Sequence, residues 1–226
     1  MPDVRDFFKR WPNFYYFIAV VFGPMLMTGL SARGFLKKYP ARGSVLNLGS
    51  GPRILGGGVT NVDIFQYPGV SLVADITRVP LGDGSAARII SDTVLEHVTD
   101  PIAAVAEMRR LLQHGGLAYV TAPFLYPFHS SPSDYQRWTR AGLLYLFRDF
   151  DIVEIGVRAG PISALTAYLC HFAGTVFSFG SEWLYSLVAN LAMFVFFPLK
   201  LIDIIFNFWP QSHMVAAIHY CVVRKK

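Results

Sequence analysis

Cysteine and charged residues are scarce in this chain of 226 residues. Only Cys170 and Cys221 occur, and their spacing matches neither a disulfide scaffold nor a metal-ligand motif, so we predict no metal site and two reduced, inert thiols. Charged residues make up 15% of the chain and hydrophobic residues 53%, with a mean hydropathy of +0.39. A composition this apolar is unusual for a soluble enzyme.

The chain also lacks a recognition helix, a basic-aromatic stripe, internal repeats and a low-complexity linker. We therefore expect no nucleic-acid partner, although the net charge is +5 and the pI is near 9.3. The basic residues flank the first hydrophobic run and end the chain: Lys9, Arg10, Arg33, Lys37, Lys38, Arg42, Arg224, Lys225 and Lys226. This placement favours a membrane lipid surface as partner, with ordinary solubilising flanks as the alternative.

Apolar residues are concentrated in a few nearly uncharged runs: Phe14 to Leu30, Ile162 to Ser181, Leu184 to Leu199, and Leu201 to Trp209, which contains Asp203. Each run is borderline for the roughly 20 residues that span a bilayer. Short spans and interfacial helices therefore both remain open, as does a very apolar core or dimer face. A signal peptide is the other interpretation of the first run, but no clear cleavage site follows it.

The segment Val45 to Pro52, VLNLGSGP, is the most informative motif. A strand-like apolar run leads directly into Gly49-Ser50-Gly51, where glycines let the backbone turn sharply beside a ligand. Asp63 ends a second apolar run, Val59 to Ile64. An acidic residue there suits the two ribose hydroxyls of an adenosine-containing ligand.

Further strands and helices follow in alternation. We predict a third strand that the segment Ala74 to Leu81 ends, a fourth over Arg88 to Asp92, a fifth over Leu117 to Thr121, a sixth over Asp151 to Val157 and a last one over Met214 to Val223. A helix is predicted over Ile102 to Gln113, opened by Asp100 and Pro101 and closed by Gly115-Gly116. Thr139 is a predicted N-cap for a helix over Arg140 to Phe147.

Together with the glycine loop, the segments VLEHVTDP, HGGLAYVTAPF and HSSPSDYQRWT resemble the class I S-adenosylmethionine-dependent methyltransferases, over roughly Ser44 to Val157 and the last strand. The resemblance implies an α/β fold with a Rossmann-like, mostly parallel seven-stranded sheet and an antiparallel last strand. The apolar residues between strands six and seven would then form an inserted helical hairpin, because the chain must leave and return on the same side.

Two features depart from the family pattern. The residue before the glycine loop is Asn47, where the family often has an acidic residue. About a dozen residues separate Gly51 from Asp63, so the first crossover helix must be very short or absent. This spacing disfavours a nicotinamide oxidoreductase, which needs a full helix facing a pyrophosphate. The chain also lacks an obvious Tyr-x-x-x-Lys pair.

The resemblance implies S-adenosyl-L-methionine as cofactor. Gly49, Ser50 and Gly51 would line its methionine end and ribose, Asp63 would hold the ribose hydroxyls, and Asp75 with Ile76 would contact the adenine. The remaining predicted cofactor residues are Asn47, Ile64, Ser91 and Asp92.

The candidate catalytic residues are His97, His129 and Asp134. His129 and Asp134 lie in a polar segment after strand five and could remove a proton from the acceptor. Each also has a structural interpretation: His97 as part of the cofactor wall, and the other two as members of a turn rich in serine.

We expect three regions: a membrane-associating segment over 1–42, a methyltransferase domain over 43–160 and 212–226, and a hydrophobic helical insertion over 161–211. The predicted function is methyl transfer to a lipid-borne or apolar acceptor, such as a quinone, a lipid headgroup or a lipid-linked sugar, by a membrane-associated enzyme facing the cytoplasm. A non-catalytic membrane scaffold with the same fold is the alternative. The sequence does not indicate an oligomeric state.

Overall fold

A computed structural model describes residues 18, 20–52, 55–129 and 133–226. The chain divides into two compact units. The first, here called the sheet unit, consists of Gly29–Phe124, Phe128–Arg158 and Ile218–Lys226. The second, the helical unit, consists of Leu125–Pro127, Ala159–Ala217 and the described residues up to Thr28.

Seven strands form one mixed sheet in the order β3-β2-β1-β4-β5-β7-β6. Their bounds are β1 Val45–Leu48, β2 Val59–Asp63, β3 Leu72–Val73, β4 Ala86–Asp92, β5 Leu112–Pro123, β6 Phe150–Ala159 and β7 Ile218–Lys225. The first five strands pair in parallel, whereas β7 pairs antiparallel with β5. This arrangement confirms the predicted fold class.

The central strands are short apolar runs because both faces of the sheet are covered. All four residues of β1 are buried, and the two faces carry separate clusters of buried side chains. Leu48 and Ile89 belong to the larger cluster, and Phe35 and Tyr119 stack in the smaller one with ring centroids 5.6 Å apart. Burial of Phe35 explains why the sheet unit begins at Gly29, well before the predicted boundary at residue 42.

Three helices belong to the sheet unit: α1 Ala32–Lys38, α2 Pro101–Leu111 and α3 Arg140–Leu146. The predicted caps are present, since Asp100 accepts a hydrogen bond from the Ala103 N–H at 2.9 Å and Thr139 accepts one from Gly142 at 3.0 Å. The predicted end of α2 was wrong. The helix stops at Leu111, because the following residues pair with β4 as part of β5.

Gly115 and Gly116 therefore lie inside β5 and do not close a helix. The register between β4 and β5 shifts from Ala86–Leu112 to Arg88–Leu117, so the extra residues bulge out. Gly115 has φ +73°, which a bulge tolerates best in glycine. As expected, the connection from β1 to β2 contains no helix among its described residues, 49–52 and 55–58.

The chain between β6 and β7 is helical. It contains α4 Pro161–Phe177, α5 Glu182–Phe196, a 3-10 segment Phe197–Ile202 and α6 Asp203–Phe206. The two long helices approach closely, since a Cβ on Gly174 would lie 3.1 Å from the Cβ of Ala189. The last strand begins at Ile218 instead of the predicted Met214, because Ser212–Met214 forms a 3-10 turn.

Glu182–Phe206 is a continuous helical run of 25 residues whose most apolar 18-residue window has a mean hydropathy of 1.9, so the run is long and apolar enough to cross a membrane. Only 22% of its most apolar window is buried, whereas the core helix of a soluble protein is mostly buried. The first hydrophobic run, Phe14 to Leu30, lies partly outside the described residues. Its described part is helical only to Phe22, where Gly23 and Pro24 end the helix.

Candidate active site

The glycine loop follows β1 at the carboxyl edge of the sheet. Gly49 has φ +67°, and its N–H donates to the carbonyl of Val62 on the neighbouring strand at 2.8 Å. A Cβ at this position would lie 2.3 Å from Cγ1 of Val94. Gly51 has φ +54°, but a Cβ there would meet nothing within 4 Å. Packing therefore requires the first glycine, and only backbone conformation favours the second.

Asp63 ends β2 and holds this loop in place. Its Oδ2 accepts a hydrogen bond from the Gly51 N–H at 2.7 Å, and its Oδ1 accepts one from the Phe65 N–H at 2.9 Å. The side chain is nearly buried but still lines the adjoining cavity. Each carboxylate oxygen retains a second lone pair, so Asp63 can fix the loop and accept hydrogen bonds from a ligand.

Asn47, in the position often acidic in the family, is buried beside the same loop. Its side-chain N–H donates to Oδ1 of Asn61 at 3.0 Å, and Asn61 in turn donates to the carbonyl of Gly69. Asn47 thus ties β1 to β2, and it also lines the adjoining cavity, where an amide, unlike a carboxylate, can both donate and accept hydrogen bonds.

A cavity of about 630 Å³ opens at the carboxyl ends of the first four strands. Nine of the ten predicted cofactor residues line it: Asn47, Gly49, Ser50, Gly51, Asp63, Ile64, Asp75, Ile76 and Asp92. Ser91 does not reach the cavity, because successive residues of a strand point to opposite faces and its side chain is completely buried. Asp92 takes the lining position.

The far wall of the cavity combines one carboxylate with two apolar side chains. Asp75 Oδ1 accepts hydrogen bonds from the N–H and the hydroxyl of Thr77, both at 2.8 Å, which fixes its direction. Ile76 is buried in the core cluster, whereas Ile64 is 57% exposed at the cavity. A flat ring could lie against such apolar side chains while its edge donates to the carboxylate.

Asp92 is oriented by two threonines that the sequence did not single out. The Thr121 hydroxyl donates to Asp92 Oδ1 at 2.7 Å, and Thr121 Oγ1 in turn accepts a hydrogen bond from the Thr93 N–H at 2.8 Å. Thr93 has φ +57°, an uncommon conformation for a residue that is β-branched. Such local strain is often kept where a side chain must be held at a functional site.

The three candidate catalytic residues lie together at the edge of this cavity. The rings of His97 and His129 are 5.1 Å apart in an edge-to-face arrangement, and His129 Nδ1 lies 3.4 Å from Asp134 Oδ2. His97 Nδ1 contacts the carbonyl of Ser133. Of the three, only His97 lines the cavity itself.

Asp134 is held as an ion. Burial opposes its ionisation, but hydrogen bonds from Arg137 and from the His129 N–H outweigh this and lower its pKa to about 2. A carboxylate with so low a pKa is a poor proton acceptor near neutral pH. Its position instead suits it to orient the His129 ring.

Glu96 completes the cluster and was missed from the sequence. Its side chain is completely buried, with Oε1 3.8 Å from His97 Nε2 and 4.0 Å from His129 Nε2. Burial raises the pKa of this carboxyl to about 8, although the positive charge of Arg137 opposes the shift. The VLEHVTDP segment contains Glu96 as well as His97, but only His97 was predicted from it as a candidate catalytic residue.

Part of this chain matches known methyltransferases. Residues 58–120 match a family model described as a methyltransferase domain. An uncharacterized 37.1 kDa protein of a Streptomyces fradiae transposon is 45% identical over 51 residues, which are 23% of this chain and 15% of that protein. The match thus spans only a small part of that relative.

Two solved structures share the fold. A protein from Bacillus halodurans, provisionally assigned as a methyltransferase, aligns with a TM-score of 0.54 and 13% identity over 87% of this chain and 99% of its own. The geranyl diphosphate C-methyltransferase of Streptomyces coelicolor, solved with S-adenosyl-L-homocysteine, aligns with a TM-score of 0.50 and 12% identity over 86% and 76%. The family match over residues 58–120 is thus to a methyltransferase domain, and the seven-stranded sheet has the fold that these two solved structures share.

Proposed function

We propose that the protein binds S-adenosylmethionine in the cavity at the glycine loop and transfers its methyl group to an acceptor associated with a membrane. The observation that carries the cofactor proposal is the charge of the cavity. Its described lining includes Asp63, Asp75, Asp92 and Asp100 but no lysine or arginine. Such a lining favours a cationic ligand and opposes a pyrophosphate.

The residues present fit the parts of this cofactor. Asp63 has lone pairs left for the two ribose hydroxyls, and Asp75 with Ile64 and Ile76 suits the adenine ring. The glycine loop allows close approach of the backbone to the methionine end. When bound, the cofactor supplies an electrophilic methyl group on a sulfonium.

The protein's own task is then to align an acceptor and manage its proton. Alignment of two reactants in a closed site provides a large part of the rate of such displacements. An acceptor hydroxyl would lose its proton as it attacks the methyl carbon, and His129, oriented by Asp134, is the candidate base. His97 is the member of the cluster that lines the cavity.

The helical unit supports a membrane location for the acceptor. Large apolar side chains are exposed along it, including Phe172, Phe177, Phe179, Trp183, Leu191, Val195, Ile205, Phe208 and Trp209. Apolar patches of this extent mark interaction surfaces. Four of them, Trp183, Leu191, Val195 and Ile205, lie on the helical run Glu182–Phe206, which is long and apolar enough to cross a membrane, so a lipid bilayer is the partner that we propose.

The placement of charge in this unit supports the same conclusion. Between residues 161 and 211 the charged residues are Glu182, Lys200 and Asp203. Lys200 is buried, and its Nζ donates to the carbonyls of Val20, Val21 and Gly23. Asp203 is buried and accepts hydrogen bonds from the first turn of α4. Two of the three charged side chains are thus buried and hydrogen-bonded to backbone groups, as expected for charges in a unit whose surface faces lipid.

Flotation with phospholipid vesicles tests this proposal. Wild-type protein should float with lipid, whereas the triple variant Phe172→Glu, Leu191→Glu, Ile205→Glu should lose at least about tenfold in partitioning, since a buried carboxylate costs kilocalories in lipid. The matched control is Ile102→Glu, Tyr145→Glu, Ile152→Glu, which places the same charges on exposed apolar positions of the sheet unit.

The experiment is best done with a protein that begins at residue 18, so that the preceding hydrophobic residues cannot anchor it. The control should float like the wild type. Equal flotation of both triple variants, or a wild-type protein that stays in solution without detergent and never floats, would show that the exposed face is not a lipid surface.

A further inference from the structure

Glu96, His97 and His129 offer three candidate metal-ligand atoms on one side of the cluster. These atoms lie within 4.8 Å of one another. Ligands of a tetrahedral zinc ion with bonds of about 2.0–2.1 Å lie roughly 3.3 Å apart. The observed separations of 3.8 and 4.0 Å from Glu96 Oε1 to the two Nε2 atoms exceed this by less than 1 Å, which small side-chain rotations can close.

The surroundings of both imidazole rings favour the form that binds a metal. A carbonyl oxygen can only accept, so the contact of His97 Nδ1 with Ser133 places the ring proton on Nδ1 and leaves the Nε2 lone pair toward Glu96. His129 Nδ1 lies 3.4 Å from Asp134 Oδ2, so a small rotation of the ring would let it donate to that carboxylate, which Arg137 holds in place. Metal-binding histidines almost always donate their second N–H to such a carbonyl or carboxylate.

Glu96 adds an independent observation. Both of its carboxylate oxygens are buried, and neither accepts a hydrogen bond from the described residues. Burial of a carboxylate without such partners costs free energy that a bound cation would offset.

We propose that Glu96, His97 and His129 bind one zinc ion. Two histidines and one glutamate with an open fourth position form a known type of catalytic zinc site, and imidazole favours zinc over calcium or magnesium. His97 also lines the cavity, so the ion would lie at its edge. Because His129 Nε2 would then bind zinc, it could not also act as the base; an acceptor oxygen bound in the open position would instead become more acidic through the ion itself.

The test is metal binding, which does not require a known acceptor. Purified full-length protein, stripped with a chelator, is incubated with zinc chloride and desalted, and its zinc content is measured by atomic absorption. We expect about one equivalent in the wild type. Affinity, measured against a chromophoric chelator, should fall about 10–100-fold in Asp134→Asn, which leaves all three ligands in place, and further in His97→Ala, His129→Ala or Glu96→Gln.

The matched control is His114→Ala, which removes an exposed imidazole from the same unit and should bind zinc like the wild type. Cobalt(II) provides a second readout on the unaltered protein, since a four-coordinate site gives strong visible absorption bands. Zinc content well below one equivalent, absence of these bands in the wild type, or equal affinity in His129→Ala and His114→Ala would overturn the proposal.

Discussion

At the scale of single residues, the two glycines of the loop after β1 have different functions. Gly49 is in contact with Val94, so its lack of a Cβ is a packing requirement. Gly51 faces open space and contributes its N–H to Asp63. Alanine substitutions at the two positions therefore distinguish a loss of protein stability, expected at Gly49, from an effect on the space beside the cavity, expected at Gly51.

Gly49→Ala should destabilise the protein by about 2–5 kcal/mol, because a left-handed backbone costs about 1–2 kcal/mol for alanine and overpacking against Val94 adds about 1–3 kcal/mol. Gly51→Ala carries only the backbone cost, and its methyl group would occupy space beside the cavity. Urea unfolding of both variants checks this. Equal stability losses would contradict the packing argument.

The sequence was informative about residues at strand ends and less so about their neighbours. Asp63 and Asp92 could be placed at one edge because the carboxyl ends of parallel strands converge there. Ser91 could not be excluded, because a strand buried on both faces has no polar alternation that reveals its parity. Glu96 meets His129 only because the chain after β5 returns to the 3-10 turn Leu95–His97 that precedes α2, a contact across 33 residues that has no local signal.

At the scale of elements, α2 positions one wall of the cavity. Glu107 accepts a hydrogen bond from the Val79 N–H at 2.8 Å, and Arg110 donates to Glu107, to Asp83 and to the carbonyl of Leu81. These contacts attach the segment after β3, which contains Asp75 and Ile76, to the helix. Hydrogen bonds from Arg110 lower the pKa of Glu107.

Glu107→Gln should lower stability near pH 7 by about 1–3 kcal/mol, since it weakens charge-assisted hydrogen bonds. Because the folded pKa is depressed, this stabilisation is present above the unfolded pKa of the carboxyl and is lost as pH falls through the folded pKa. The difference from the wild type should therefore shrink toward acid pH in urea unfolding. Asp149→Asn, an exposed carboxylate, is the control. A difference that persists unchanged in acid would refute the ion-pair explanation.

Helices and strands were predicted correctly where the signal was a helix cap or an uninterrupted apolar run. Asp100 and Thr139 marked true helix starts, whereas Gly115-Gly116 was taken for a helix end although it forms a bulge in β5. The difference lies in what each signal depends on. A cap is satisfied by residues three positions away, but the bulge results from pairing with β4, which is distant in sequence.

At the scale of the whole molecule, the chain combines a sheet unit of methyltransferase-like fold with a helical unit that exposes many large apolar side chains. The helical unit interrupts the sheet unit between β6 and β7 in sequence, as the two uncharged runs predicted. The identity of the acceptor depends on side chains that recognise it, and no sequence motif indicates which molecule that is. The cofactor, in contrast, could be predicted from the sequence, because the residues expected to bind it follow the ends of successive strands.

Calorimetric titration of the full-length protein with S-adenosylmethionine, and with its demethylated product, tests the central claim most directly. We predict binding of one molecule per chain with a dissociation constant of about 1 µM to 1 mM. Asp63→Asn should weaken it at least about tenfold, since a hydrogen bond to a charged group is worth about 1.5–3 kcal/mol. His129→Ala should bind as the wild type does, because His129 does not line the cavity. No heat with either compound, in a folded protein whose melting temperature neither compound raises, would contradict the account and favour a non-catalytic scaffold.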